Sequence, residues 1–290
     1  MDGRSPLART VSEVWPAGAT LGEGPVWDAR SGCVFWVDIK GRQLHAYRHR
    51  DGDRRSWHTP FRLCSLAPVA PPWLPPPDMT GDVFIACGDP GLVWICVDGP
   101  SLTVRSVVHP ERHLPGNRFN DGKLGPDGRY WAGTMDDSEA DSTGSLYAFA
   151  ADGSFRVMDQ GYRVTNGPAF SPDGRIVYHT DSVRQEIYAF TLQNDGWLGP
   201  RRLLRRFGPG EGFPDGMTTD GDGNLWVAMW DGWRIQRLSP DGRDAGHVEV
   251  PAARCTSCVL VGRDSLYVTS AAIGQEGQTG AGSLYRIGLR

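Results

Sequence analysis

Across 290 residues the chain carries 30 basic and 34 acidic side chains, a formal net charge of −4, with no block of like charge of the kind that binds nucleic acid or a membrane surface. Its 38 glycines, 22 prolines and 11 tryptophans belong to a protein of turns and aromatic strands rather than to a helical bundle. The length suits one all-β domain over residues 1–290, and no apolar stretch approaches the roughly 18 residues of a membrane span.

From the N-terminus, Met1 to Val11 lack the apolar run of a secretory leader, so a cytoplasmic address is expected. The six dispersed cysteines are then expected as reduced, mostly buried thiols. Cys255 and Cys258 form a C-x-x-C with no second ligand pair, which argues against a zinc knuckle.

Six short runs of alternating aromatic and aliphatic residues follow one another along the chain, centred on Trp36, Ile85, Trp131, Tyr178, Trp226 and Tyr267. Their spacing of 41 to 49 residues matches the period of four-stranded propeller blades. Turns such as Gly125-Pro126-Asp127-Gly128 and Ser171-Pro172-Asp173-Gly174 precede the runs, and a second strand follows most of them, as in Leu44–Tyr47 and Ser145–Phe149. The expected fold is all-β, a six-bladed β-propeller with a central metal-binding channel, closed by a strand at Thr10–Trp15. Pro68 to Asp78 holds six prolines and predicts an irregular loop or a lost inner strand in the second blade. Arg201, Arg202, Arg205 and Arg206 read as a solvated strand face. The Asp220–Asp231 stretch reads as a hairpin, because Leu225 stands where a calcium loop needs Gly.

Four polar clusters are not required by this fold: Leu21–Trp27 around Glu23, Arg118–Lys123 around Asn120 and Asp121, Thr165–Pro168 around Asn166, and Phe213–Met217 around Asp215. Each places a carboxylate or amide just ahead of a Gly, where turn capping is the ordinary role. Their recurrence at matching repeat positions points instead to one ring of oxygens. Inner strands converge on the channel, so Glu23, Asn120, Asn166 and Asp215 are expected around a single point, an oxygen set suited to Ca²⁺, Mg²⁺ or Mn²⁺, with zinc or ferrous iron also open.

These clusters, read as Leu-Gly-Glu-Gly-Pro-Val-Trp, Arg-Phe-Asn-Asp-Gly-Lys, Asn-Gly-Pro and Pro-Asp-Gly-Met, resemble the regucalcin and gluconolactonase family of sugar lactonases from about Leu21 to Ile287. Tyr178-His179-Thr180-Asp181 looks most like the bacterial aldonolactonases of pentose oxidation. The resemblance implies one divalent metal ion on Glu23, Asn166 and Asp215, with Asp215 doubling as general base. It also implies substrate contacts from Arg118 and Asn120, with which Asp121 is grouped. A substrate-binding Glu of some members, after the Ala-Gly-Thr-Met strand, has no clear counterpart among Asp136, Asp137, Ser138 and Glu139.

The expected activity is metal-dependent hydrolysis of a glucono-, xylono- or arabinono-lactone by a monomer or weak oligomer, with no nucleic-acid or membrane partner. A metal-dependent aryl esterase or organophosphate hydrolase and a non-enzymatic calcium-binding propeller are the alternatives. A serine hydrolase is disfavoured, because the chain has no G-x-S-x-G elbow.

Overall fold

Each aromatic run becomes the second strand of a four-stranded antiparallel sheet in the computed structural model, which describes residues 9–289. Most of the segment read for a leader lies outside the described residues. The six sheets are the six blades expected, numbered here in chain order. Their inner strands are Gly22–Asp28, Leu63–Pro68, Asn117–Leu124, Thr165–Phe170, Phe213–Thr219 and Cys255–Val261. Each inner strand lies against those of the blades before and after it, and blade 6 meets blade 1, so the ring is closed. Val11–Trp15 provides the closure as the outermost strand of blade 6, pairing antiparallel with Leu284–Gly288.

Alternation along the second and third strands sends large side chains between blades, where the apolar surface is buried. Phe35 of blade 1 meets Phe84 of blade 2 with ring centroids 4.7 Å apart, and Trp131 of blade 3 meets Phe170 of blade 4 at 5.9 Å. The predicted turns form as read: Gly128 N–H bonds the Gly125 carbonyl at 3.0 Å with φ of 74°, and Asp220 caps its hairpin by accepting from Asp222 and Asn224. On the outer face of blade 4, Arg201 and Arg205 pair with Asp159 and Glu211, and Arg206 pairs with Glu186.

Blade 2 keeps its inner strand, whose last residue is Pro68, and the other five prolines fall in the strandless connection beyond it. Of the two expectations for this segment, the irregular loop is the one formed. The loop is anchored by Trp73, which is fully buried against Trp94 and donates its own indole N–H to the Gly128 carbonyl of blade 3 at 2.8 Å. Among the described residues no helix is long and apolar enough to cross a membrane.

Candidate functional site

All six inner strands lose register near one end of the channel. In blade 1, Glu23 pairs with Val37 but Val26 pairs with Phe35, so Gly24 and Pro25 face a single residue. Blades 4 and 5 repeat the bulge after Asn166 and at Asp215, and blade 3 carries it at Asn120 and Asp121. Bulges re-aim side chains. The glycines have two separate causes. Gly24 and Gly167 adopt φ of 52° and 70°, whereas Gly216 lies so near blade 6 that a Cβ would sit 2.2 Å from Ser257 Oγ.

Glu23, Asn120, Asn166 and Asp215 all line one cavity of about 590 Å³ at this end, joined by Arg118 and by apolar walls including Phe213 and Trp230. It exceeds the two other main cavities, of about 430 and 460 Å³. No histidine is among its lining residues, which leaves its serines without the imidazole partner of a serine hydrolase. His179 is buried behind it against Tyr162, and burial pushes its imidazole down to about 3.

A chain of hydrogen bonds ties blades 3, 4 and 5 together beneath the cavity. Asp137 accepts from Arg118 Nε at 2.7 Å, and Arg118 donates to Asn120 Oδ1 at 2.7 Å. Asn120 Nδ2 donates to Asn166 Oδ1 at 3.0 Å and to the Thr165 carbonyl at 2.7 Å. Asn166 Nδ2 donates to Ser182 Oγ at 2.8 Å, and that hydroxyl donates to the Pro214 carbonyl, next to Asp215, at 2.7 Å. Both amides are thereby oriented, and Asn166 Oδ1 keeps a lone pair for the cavity. Ser182 is a site residue that sequence reading missed; its position directly after the Tyr-His-Thr-Asp strand was the only signal.

Asp121, grouped with the substrate contacts, points elsewhere. Its oxygens accept from the amides of Gly122 at 2.7 Å and Gly167 at 3.0 Å, and it is not among the cavity-lining residues. Burial raises its carboxyl to about 6, with Lys123 opposing.

The electrostatics of the site ask for a cation. Burial holds Glu23 well above the usual carboxylate range, reinforced by Asp215 and Asp121, and burial together with Asp121 does the same to Asp215. Neither carboxylate forms an ion pair with a basic side chain among the described residues, and Asp215 Oδ1 is buried without a hydrogen-bond partner. No three His, Cys, Asp or Glu side chains cluster as metal ligands among those residues. Glu23, Asp215 and Asn166 fit a divalent cation on these grounds: like charges buried together, an orphaned oxygen and an all-oxygen donor set.

Ser182→Ala leaves the Asn166 amide and the Pro214 carbonyl each short of a partner, at a cost of about 1–3 kcal/mol per buried group. A tenfold or greater loss of divalent-ion affinity by calorimetric titration is expected. Unchanged affinity would show that Ser182 does not position Asn166.

Residues 21–272 match the SMP-30/Gluconolactonase/LRE-like region. The chain is 35% identical to a 6-deoxy-6-sulfogluconolactonase of Pseudomonas putida over 87% of its length and 84% of that protein. It is 33% identical to an L-arabinolactonase of Azospirillum brasilense, over 88% and 82% of the two chains. Among solved structures, the calcium-binding protein regucalcin from Agrobacterium tumefaciens superposes with a TM-score of 0.85 at 27% identity, covering 96% of this chain and 92% of that one. A match over this much of the chain, on the fold and inner-strand clusters described above, makes the protein a member of the SMP-30/Gluconolactonase/LRE-like family.

Proposed function

We propose that the protein hydrolyses the ring ester of a sugar-acid lactone, with a divalent cation held by Glu23, Asn166 and Asp215. The observation that carries this reading is the pair of buried carboxylates, without a basic side-chain partner among the described residues, beside an oriented amide oxygen in a cavity of about 590 Å³. The activities named for the Pseudomonas and Azospirillum relatives support the lactone. The regucalcin neighbour supports a divalent ion, and an all-oxygen set suits Ca²⁺, Mg²⁺ or Mn²⁺ ahead of zinc or ferrous iron.

Such an ion, when bound, polarises an ester carbonyl and acidifies a water. The chain's own residues supply the rest. Asp215 takes the proton of the attacking water as that water's oxygen joins the carbonyl carbon. The ring C–O bond then breaks, and the proton passes from Asp215 to the departing oxygen to give the hydroxy acid. Arg118 and Asn120, fixed by Asp137 and Asn166, orient the sugar hydroxyls from the cavity wall. Asp121 supports this array from below through the Gly167 amide. The whole chain acts as one propeller domain, and its six free cysteines suit a reducing, cytoplasmic setting.

A pH-stat assay of the divalent-ion-loaded protein on glucono-, xylono- and arabinono-lactones, with paraoxon alongside, tests the reading. Acid release from at least one lactone well above the uncatalysed rate is expected. Turnover of paraoxon alone, or tight ion binding with no hydrolysis, would replace lactonase with one of the alternative readings.

A further inference from the structure

Four cationic side chains face the cavity: Lys40, Arg118, Arg163 and Arg254. Two are already matched. Arg118 pairs with Asp137 at 2.7 Å, and Arg254 pairs with Asp231 at 2.8 Å while lying 4.6 Å over the Trp230 ring. Arg163 is different. Its Nε donates to the backbone carbonyl of Glu139 at 2.7 Å, and its terminal nitrogens have no carboxylate or other acceptor among the described residues.

That single bond comes from a rigid support. Asp136 accepts from the amides of Ser138, Ala140 and Asp141, and Glu139 takes a φ of 58°, which turns its carbonyl toward Arg163. The Glu139 carboxylate is not paired with Arg163; its field acts on Asp215. The guanidinium is therefore held on one side with its open fork left over. Arg163 also lies only three residues ahead of Asn166, within about 10 Å of extended chain. Four cations face four carboxylates in this cavity: Glu23, Asp137, Glu139 and Asp215. With Arg118 matched by Asp137 and Arg254 by Asp231, a divalent ion on Glu23 and Asp215 would leave Lys40 and Arg163 opposed in the cavity lining by Glu139 alone.

We propose that the lactone taken by this chain bears a second, anionic group on the carbon remote from its ester, a phosphate or a sulfonate, received by the open fork of Arg163. The proposal rests on the lactonase reading and adds a specificity-determining residue to it. A guanidinium presents parallel N–H donors that match two oxygens of such a group, which a neutral hydroxyl cannot use. Lys40 faces the same cavity, is exposed and forms no ion pair or hydrogen bond among the described residues, so it contributes only diffuse attraction.

The test compares wild type, Arg163→Gln and Lys40→Gln on gluconolactone and on its 6-phospho and 6-sulfo counterparts. Binding of 6-phosphogluconate and gluconate to the same proteins is measured by calorimetry. Wild type is expected to favour one or both anionic lactones at least tenfold in kcat/KM. Arg163→Gln should remove that preference by raising KM, while gluconolactone turnover stays within about twofold; Lys40→Gln should change both classes less than threefold, and less still in high salt. The relative rates on the two anionic lactones identify phosphate or sulfonate as the preferred group. Equal losses on neutral and anionic lactones in Arg163→Gln, or wild-type indifference to the anion, would overturn the proposal and leave the lactonase reading standing. If no lactone is turned over, a tenfold loss of 6-phosphogluconate binding in Arg163→Gln still upholds the anion site while the hydrolytic reading fails; unchanged binding overturns both.

Discussion

Asp215→Asn is expected to lower kcat by about 10²- to 10⁴-fold, the range a positioned general base contributes. The amide keeps an oxygen for the cation and nearly the same volume, so the inner strand of blade 5 and its bulge at Pro214–Met217 are preserved. What disappears is the ability to take the proton of the attacking water. KM should change little if, as proposed, Arg118 and Asn120, which line the cavity from blade 3, orient the substrate. Steady-state kinetics with the ion measured in each sample decides the matter. Near-wild-type turnover in a fully loaded variant would remove Asp215 as base and leave it a ligand only.

Chelation is expected to bring lactone hydrolysis to background while the sheet signal in circular dichroism is retained at 25 °C. The blades are held by aromatic packing between sheets and by strand pairing, neither of which passes through the Glu23–Asp215 pair. An ion bound at a hundred times its Kd adds about 2.7 kcal/mol. For a chain of this size that corresponds to a fall of roughly 4–5 °C in Tm on removal. Re-addition of a divalent ion should restore activity without refolding. Collapse of the sheet signal on chelation would make the ion a structural one.

The propeller was legible because its information is periodic: six aromatic runs at near-constant spacing, each ahead of a turn, leave few architectures open. The four inner-strand clusters were legible for the same reason, since each marks the same place in a different blade. What the chain did not disclose lies across blades. Ser182 matters because its hydroxyl spans from Asn166 to Pro214, and Arg163 because a carbonyl 24 residues earlier in the chain leaves its fork open. Asp121 shows the limit at shortest range. It adjoins Asn120, yet neighbouring residues of a strand face different directions, and only one of the two reached the cavity. In blade 2 the prolines signalled a break correctly, but that five of the six fall past the inner strand, with Pro68 still paired as its last residue, depended on where pairing with Asp82–Gly88 stops.

Ring closure through Val11–Trp15 and Leu284–Gly288 also sets an order of events during synthesis. Glu23, Asn120, Asn166 and Asp215 have all left the ribosome well before blade 6 does, and until then they are four polar side chains on an open arc. The final strand has to be made before the first can join it, so the channel that gathers these oxygens is completed last. A chain halted short of Leu284 would carry every residue of the site without the strand to which Val11–Trp15 pairs.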